Sequence, residues 1–389
     1  MSSKPHLLFP LILVGMLAVS TLIEIVIPLR LHGFWAALRM VLAWISTGLF
    51  SLWLLLALPA FAFGLVLLVR RRAIVKRALI LMLYGILPFV LLCGSCATRR
   101  DECAWSRLLP LPQEQVPLKN AIRKDVEILA NDIGPRNGRT SHENLCRAAD
   151  FIEGRFQQAG HVVRRDTYQP KRPGMGPCSS LEAELRGTSR PDDILVIGAH
   201  YDTAPGTPGA DDNASAIAVL LALAQAFANR PTSCTVRFVA FPNEEPPSFQ
   251  TADMGSLVYA RGCASRGERI QAMLCLEMLG CYSEKPRTQR YPSRIFECFF
   301  PTTGHFVGVI ANTKSGNLAS TTASALREAG VPAHSAVLPD WVTGVAWSDH
   351  WSFWKIGVPA IMLTDTAHFR NPRYHTENDT PRSEEHTSE

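Results

Sequence analysis

Residues 194–215, ILVIGAHYDTAPGTPGADDNAS, constrain the fold more than any other stretch of the chain. Ile194 to Ala199 is an apolar run bounded by polar residues, the pattern of a strand buried on both faces of an α/β sheet. The run ends in His200-Tyr201-Asp202, passes through a Gly/Pro loop, and reaches Asp211-Asp212-Asn213. An Ala-rich apolar stretch, 214–228, follows at once and predicts a helix that Asn213 or Ser215 can cap. Open α/β sheets place their sites at the C-terminal ends of buried strands, and these polar residues fall there. His-x-Asp is common in surface loops, so its meaning depends on partners supplied by the rest of the chain.

The 389 residues divide by composition. Residues 7–96 are largely apolar, and three runs within them, 7–29, 41–69 and 78–93, approach the ~20 residues that span a bilayer. Glu24, near the end of the first run, is expected to reach the interface. A cleaved signal peptide is the alternative for that run, but it lacks a small-x-small cleavage site and more apolar runs follow. Arg70, Arg71, Arg72, Lys76 and Arg77 separate the second and third runs and hold that loop in the cytoplasm. The expectation is therefore a multi-pass integral membrane protein, with a membrane region over 1–98, a linker over 99–117, and a periplasmic or extracellular domain over 118–381. The net charge of +5 equals the five positives of that one loop. The remainder is close to neutral, which argues against a nucleic-acid partner. The last residues, 382–389, read as the translation of a sequencing adapter, so native sequence is expected to end at about Pro381. The ten cysteines form no paired Cys-x-x-Cys zinc array, and most are expected to be reduced and buried.

Along the outer domain, helix and strand patterns alternate. Helices are expected over 118–131, 141–160, 214–228, 254–262, 318–328 and 347–354. Strands are expected over 162–168, 181–185, 194–199, 235–241, 272–276, 306–311, 335–338 and 359–364. The expected fold is α/β: a mixed, largely parallel central sheet covered by helices on both faces.

Ligand-type side chains recur at the strand ends: His200 and Asp202, Asp212, Glu244 and Glu245, and Glu277; His375 lies in the last loop. Hard carboxylates with neutral imidazoles suit zinc or a similar divalent ion. Two ions need a bridging carboxylate and outer ligands on each side. Five of these residues fit that demand: Asp212 between the ions, His200 and Glu277 or Glu245 on separate ions, and His375 opposite. A sixth carboxylate is left as general base. Asp202, two residues from His200 on the same strand face, is placed to fix the imidazole tautomer.

Together, His200-Tyr201-Asp202, Gly209-Ala210-Asp211-Asp212-Asn213-Ala214-Ser215, Asn243-Glu244-Glu245, Leu276-Glu277-Met278 and Tyr374-His375-Thr376 resemble the co-catalytic dizinc aminopeptidases. That family also takes in glutamate carboxypeptidase and glutaminyl cyclase relatives. The resemblance covers roughly 118–381. It implies two zinc ions held by His200, Asp212, Glu245, Glu277 and His375, with Asp212 bridging, Glu244 as base and a cis Asp212–Asn213 peptide. Glu277 stands where many members have Asp, and Ala216 where Gly is frequent. The implied activity is removal of N-terminal residues from peptides. A carboxypeptidase, for which Lys355, Arg370 and Arg373 are the available cations, a glutaminyl cyclase, and a non-catalytic receptor remain alternatives. Asp211 reads as a loop or cap residue. Asp349 and His350 read as supporting or pocket-lining groups, and His305, His334 and His368 as surface or loop histidines. Trp341, Trp347, Trp351, Phe353 and Trp354 read mostly as core, with one of them available to wall a substrate pocket. No Gly-x-Ser-x-Gly is present and neither Ser215 nor Ser256 has a base at useful spacing, which excludes a serine hydrolase.

Overall fold

The computed structural model describes residues 112–381. The three expected spans, most of the linker and the 382–389 tail lie outside the described residues. Among the described residues no helix is long and apolar enough to cross a membrane.

Eight strands form one sheet: β1 (Val163–Tyr168), β2 (Cys178–Leu185), β3 (Arg190–His200), β4 (Cys234–Phe241), β5 (Arg269–Glu277), β6 (Val307–Ala311), β7 (Ala333–Val337) and β8 (Ala360–Thr364). Their spatial order is β1-β2-β4-β3-β5-β8-β6-β7. β4, β3, β5 and β8 run parallel, as do β6 and β7. β1–β2, β2–β4 and β6–β8 pair antiparallel. The mixed, largely parallel sheet read from the alternation of patterns is therefore present. The helices are α1 (Val116–Glu127), α2 (His142–Gln158), α3 (Ala216–Phe227), α4 (Gly255–Ser265), α5 (Gly316–Glu328) and α6 (His350–Lys355).

Strand period sorts the core into two layers. Val236, Phe238 and Ala240 of β4 pack with Leu220 and Ala224 of α3 and Leu145, Ile152 and Phe156 of α2. The alternate residues, Val239 and Phe241, pack on the opposite face with Tyr259 of α4 and Phe353 of α6. Helices thus cover both faces, which is why the central strands read as unbroken apolar runs.

Several local expectations change. The helix expected over 118–131 ends as an α-helix at Glu127 and continues as a wider π turn, Ile128–Ile133. The helix expected from Trp347 begins at His350, because 341–349 is a series of turns. Neither Asn213 nor Ser215 caps α3. The Asn213 side chain instead bridges to β5, donating to Leu276 O at 3.2 Å and accepting from Met278 N at 2.9 Å. The Ser215 hydroxyl donates to Asp211 O at 2.7 Å and accepts from Leu279 N. These residues connect the site's segments rather than end a helix. The Asp212–Asn213 peptide is cis.

Candidate metal centre

β3 and β5 end at the site with His200 and Glu277, and β4 delivers Glu244 and Glu245 three and four residues past Phe241. The loop after β3 turns through Gly209 at φ 63°, where a side chain would meet Asp212 O at 2.3 Å and Thr203 Cγ2 at 2.4 Å. Only glycine fits this close approach, and the chain then enters Asp211-Asp212. His375 comes from the last loop with φ 56°. A non-glycine residue held there carries a backbone cost of ~1–3 kcal/mol that its surroundings must offset.

Two ligand groups result, and they share Asp212. His200, Asp212 and Glu277 bring one ligand atom each within 4.8 Å of one another, as do Asp212, Glu245 and His375. His200 Nε2 lies 3.4 Å from Asp212 Oδ1 and 3.4 Å from Glu277 Oε2. His375 Nε2 lies 3.1 Å from Asp212 Oδ2 and 3.0 Å from Glu245 Oε1. All five expected ligands thus converge. Glu244 lies beside them, its Oε2 3.8 Å from His200 Nε2. A third group, Asp211, Cys281 and Asp365, is also buried. Its carboxylates are engaged by the chain: Asp211 accepts from Gly280 N and Asn371 Nδ2, and Asp365 from Cys281 N and Ala367 N.

The charges explain why the first two groups suit a cation. Burial, reinforced by neighbouring carboxylates, raises Glu244, Glu245 and Glu277, with Glu245 reaching about 8. For Asp212, burial would do the same, but the neighbouring His200 and His375 imidazoles outweigh it and hold it below the usual carboxylate range. For His375, burial pulls downward, yet Asp212 and Glu245 lift the imidazole to about 10. His200 Nε2 and Glu245 Oε1 are fully buried with no hydrogen-bond partner, although each faces oppositely charged groups. Orphaned buried polar atoms, one in each of the two mixed imidazole and carboxylate sets, fit zinc.

Supporting contacts were only partly foreseen. His200 Nδ1 meets Asp202 through the main-chain O at 3.2 Å and through Oδ1 at 3.5 Å. The Asp202 carboxylate also accepts from the backbone amides of Glu244 and Glu245 at 3.0 and 3.1 Å. Asp379, which the sequence reading passed over, does the same for Asp211 and Asp212 at 3.0 and 3.1 Å. Arg136 was also missed. It is fully buried and donates to five carbonyls: Leu129, Gly134, Tyr201, Pro208 and Gly209. A charged residue between Gly134-Pro135 and Asn137 reads as a solvated turn, so no local pattern pointed to it. Ser348 Oγ donates to Glu277 Oε2 at 2.6 Å. Asp349 and His350 are buried beside the site but belong to neither ligand group.

The surroundings bear on substrate. A cavity of about 170 Å³ is bordered by Glu244, Glu245, Asp212 and His375. Glu277, Trp347 and Tyr374 border both it and a second cavity of about 110 Å³. Phe296, Phe300, Phe306 and Phe369 wall the second, with Ile310 and Leu338. Trp347 thus takes the pocket-wall role left open for one of the aromatics, whereas Trp341, expected in the core, is 81% exposed. His334 and His368, read as surface or loop histidines, line the apolar cavity, His334 from β7 and His368 from the loop after β8, where it stacks on Trp347. Arg370, one of the cations available to a carboxypeptidase, is buried. It donates to Cys281 O, Phe306 O and Gln289 Oε1 and lies over the rings of Tyr282 and Phe306.

Comparison with known proteins agrees with this geometry. The model of peptidase family M28 matches residues 181–388. The Escherichia coli protein YfbL is 34% identical over 286 residues, which are 71% of this chain and 85% of that protein. A 94-residue stretch is 43% identical to aminopeptidase YwaD of Bacillus subtilis, covering 24% of this chain and 20% of that one. In fold, the chain is similar to a zinc aminopeptidase from Bacillus subtilis, with a TM-score of 0.53 and 16% identity over 71% of this chain and 91% of that one. LapB of Legionella pneumophila gives a TM-score of 0.53 at 20% identity, over 72% of this chain and 74% of that one. The chain belongs to peptidase family M28, the co-catalytic zinc exopeptidases, and is a metallo-exopeptidase of the hydrolase class.

Proposed function

We propose that this protein is a membrane-anchored aminopeptidase that uses two zinc ions and Glu244 as general base, acting on peptides outside the cytoplasm. The observation that carries the reading is the pair of ligand groups joined by Asp212, with Glu244 left over beside them. His200, Asp212 and Glu277 would hold one ion and Asp212, Glu245 and His375 the other. When bound, zinc supplies Lewis acidity toward a scissile carbonyl and lowers the pKa of water. The chain's own residues do the rest. Glu244, held in place by its amide on Asp202, takes a proton from water and returns it to the leaving amine. The excess of carboxylates around the cavity favours a free N-terminal amine, and the aromatic cavity beyond Trp347 receives the side chain of the first residue. The burial of Arg370 speaks against recognition of a C-terminal carboxylate by that residue.

The test uses the full-length chain in detergent or vesicles. Metal content is measured first, then hydrolysis of one peptide with free, N-acetylated or C-amidated ends. We expect two zinc ions, cleavage of the free and C-amidated forms, and none of the acetylated form. Cleavage of the acetylated peptide with loss on amidation would transfer the assignment to a carboxypeptidase. For the anchor, a topology reporter fused after Thr98 is expected to be active only in its non-cytoplasmic form, and a cytoplasmic signal would overturn the three-span arrangement.

A further inference from the structure

Two carboxylates organise the backbone of the centre in the same way. Asp202, on the segment that carries His200, holds the amides of the Glu244-Glu245 segment. Asp379, four residues after His375, holds the amides of the Asp211-Asp212 segment, and its own carbonyl accepts from Ala210 N at 3.2 Å. Three successive amides of the loop bearing the shared ligand thus end on one residue. Asp379 is fully buried. It is tied to His375 by a tight turn: Asp379 N donates to Thr376 O, Thr376 Oγ1 donates to Arg373 O at 2.7 Å, and Asn378 N donates to Thr376 Oγ1. His375 itself sits at φ 56°, a conformation that needs such an anchor.

We propose that Asp379 is a positioning residue for the metal centre: by fixing the Asp211-Asp212 backbone against the His375 turn, it sets the affinity of the Asp212, Glu245 and His375 group in particular. The proposal rests on the two-ion reading above. The other group depends on it less, because His200 and Glu277 stand on adjacent parallel strands, β3 and β5, whose ladder fixes them independently. Arg136 braces the 208–209 approach to the same loop from the other side. An Asp379 that merely filled orphan amides would, when changed, loosen Asp212 for both groups alike. A tether between Asp212 and His375 affects one group first.

The experiment is a competitive zinc titration of the metal-stripped, full-length chain against a chromophoric chelator. Asp379→Asn keeps the shape but leaves one amide without an acceptor. Expected is one ion bound as in the wild type and a second weakened 10–100-fold, the range for groups that orient metal ligands. In zinc-saturated assays kcat should recover while KM for peptide stays unchanged. Thr376→Val loosens the same turn without touching the amides, and is expected to give the same bias to a smaller degree; it decides the matter if Asp379→Asn does not fold by circular dichroism. Equal weakening of both ions, or no change in either variant, overturns the role of Asp379 alone. A wild-type chain that takes up a single ion refutes the two-ion reading and with it the selective effect.

Discussion

Arg136 offers the sharpest test of how this fold holds its site. Its guanidinium takes five backbone carbonyls, at 2.7 Å to Tyr201 and Pro208, 2.9 Å to Gly209, 3.1 Å to Leu129 and 3.3 Å to Gly134. Burial draws it down to about 10 against the pull of Asp379, Asp202, Asp212 and Glu245, so it stays charged at neutral pH. Lysine keeps the charge but has three donors, so Arg136→Lys loses at least two of the five hydrogen bonds, although Leu129 O and Gly209 O keep the amides of Gly134 and Ala214. A hydrogen bond to a charged group contributes ~1.5–3 kcal/mol, giving ~3–6 kcal/mol in all. Set against a total stability of ~5–15 kcal/mol, this brings the domain close to unfolding. The assay is thermal and urea unfolding of the metal-stripped full-length chain. Zinc should recover part of the loss, because ligand binding to the folded state adds stability by mass action. A variant within ~0.5 kcal/mol of the wild type would refute the accounting, and would mean that the loop carbonyls find water or one another instead.

Two further outcomes are expected. Glu244→Gln should keep the fold and the metal while losing ~10²–10⁴ in rate, the usual effect of removing a general base; loss of metal, or turnover near wild type, would contradict that role. The second concerns acid. Burial pushes His334 and His350 down to about 4 from 6.5. A base depressed in the folded state contributes stability that is fully present above its unfolded pKa and lost as pH falls through the folded one. Their own contribution to stability should therefore decline between about pH 6.5 and 4. His350→Gln, which can keep the donation to Val345 O, should flatten that limb in unfolding curves. A wild-type and variant difference that is constant across the window would exclude His350 as a source.

The strands of this protein were legible because each central strand is apolar on both sides and ends abruptly in ligand-type residues. His200, Glu244, Glu245 and Glu277 all mark a strand end or the residues just beyond one, so one pattern gave both the sheet and most of the site. Boundaries were less legible where the deciding contact is distant. Ser215 resembles a helix cap in sequence, but Leu279 and Asp211 claim its hydroxyl. Trp341 reads as core by composition, yet the turns after β7 carry it to the surface, and composition does not tell which of these aromatics walls a pocket, the part Trp347 takes. Arg136 and Asp379 were illegible for one physical reason. Both serve backbone groups of a loop far away in sequence, and backbone acceptors and donors leave no trace in the residue types that flank them.

That difference separates what binds from what holds. The ligand side chains bring Asp212, Glu244, Glu245 and Glu277 together in a buried space with His200 and His375, an arrangement whose like charges repel before any cation enters. Beyond Ser348 on Glu277, side-chain hydrogen bonds can offset little of this, because lone pairs aimed at the centre must remain available to a metal. The remaining support acts on the backbone, where it occupies no ligand atom. Asp202 and Asp379 grip amides and Arg136 grips carbonyls, so these three fix both ligand-bearing loops without entering the coordination set. A centre held this way keeps its shape independently of occupancy. The metal-stripped chain should then retain the same backbone around Asp212, visible as slow amide hydrogen exchange over 210–213, whereas fast exchange there would show that the ions themselves order the loop.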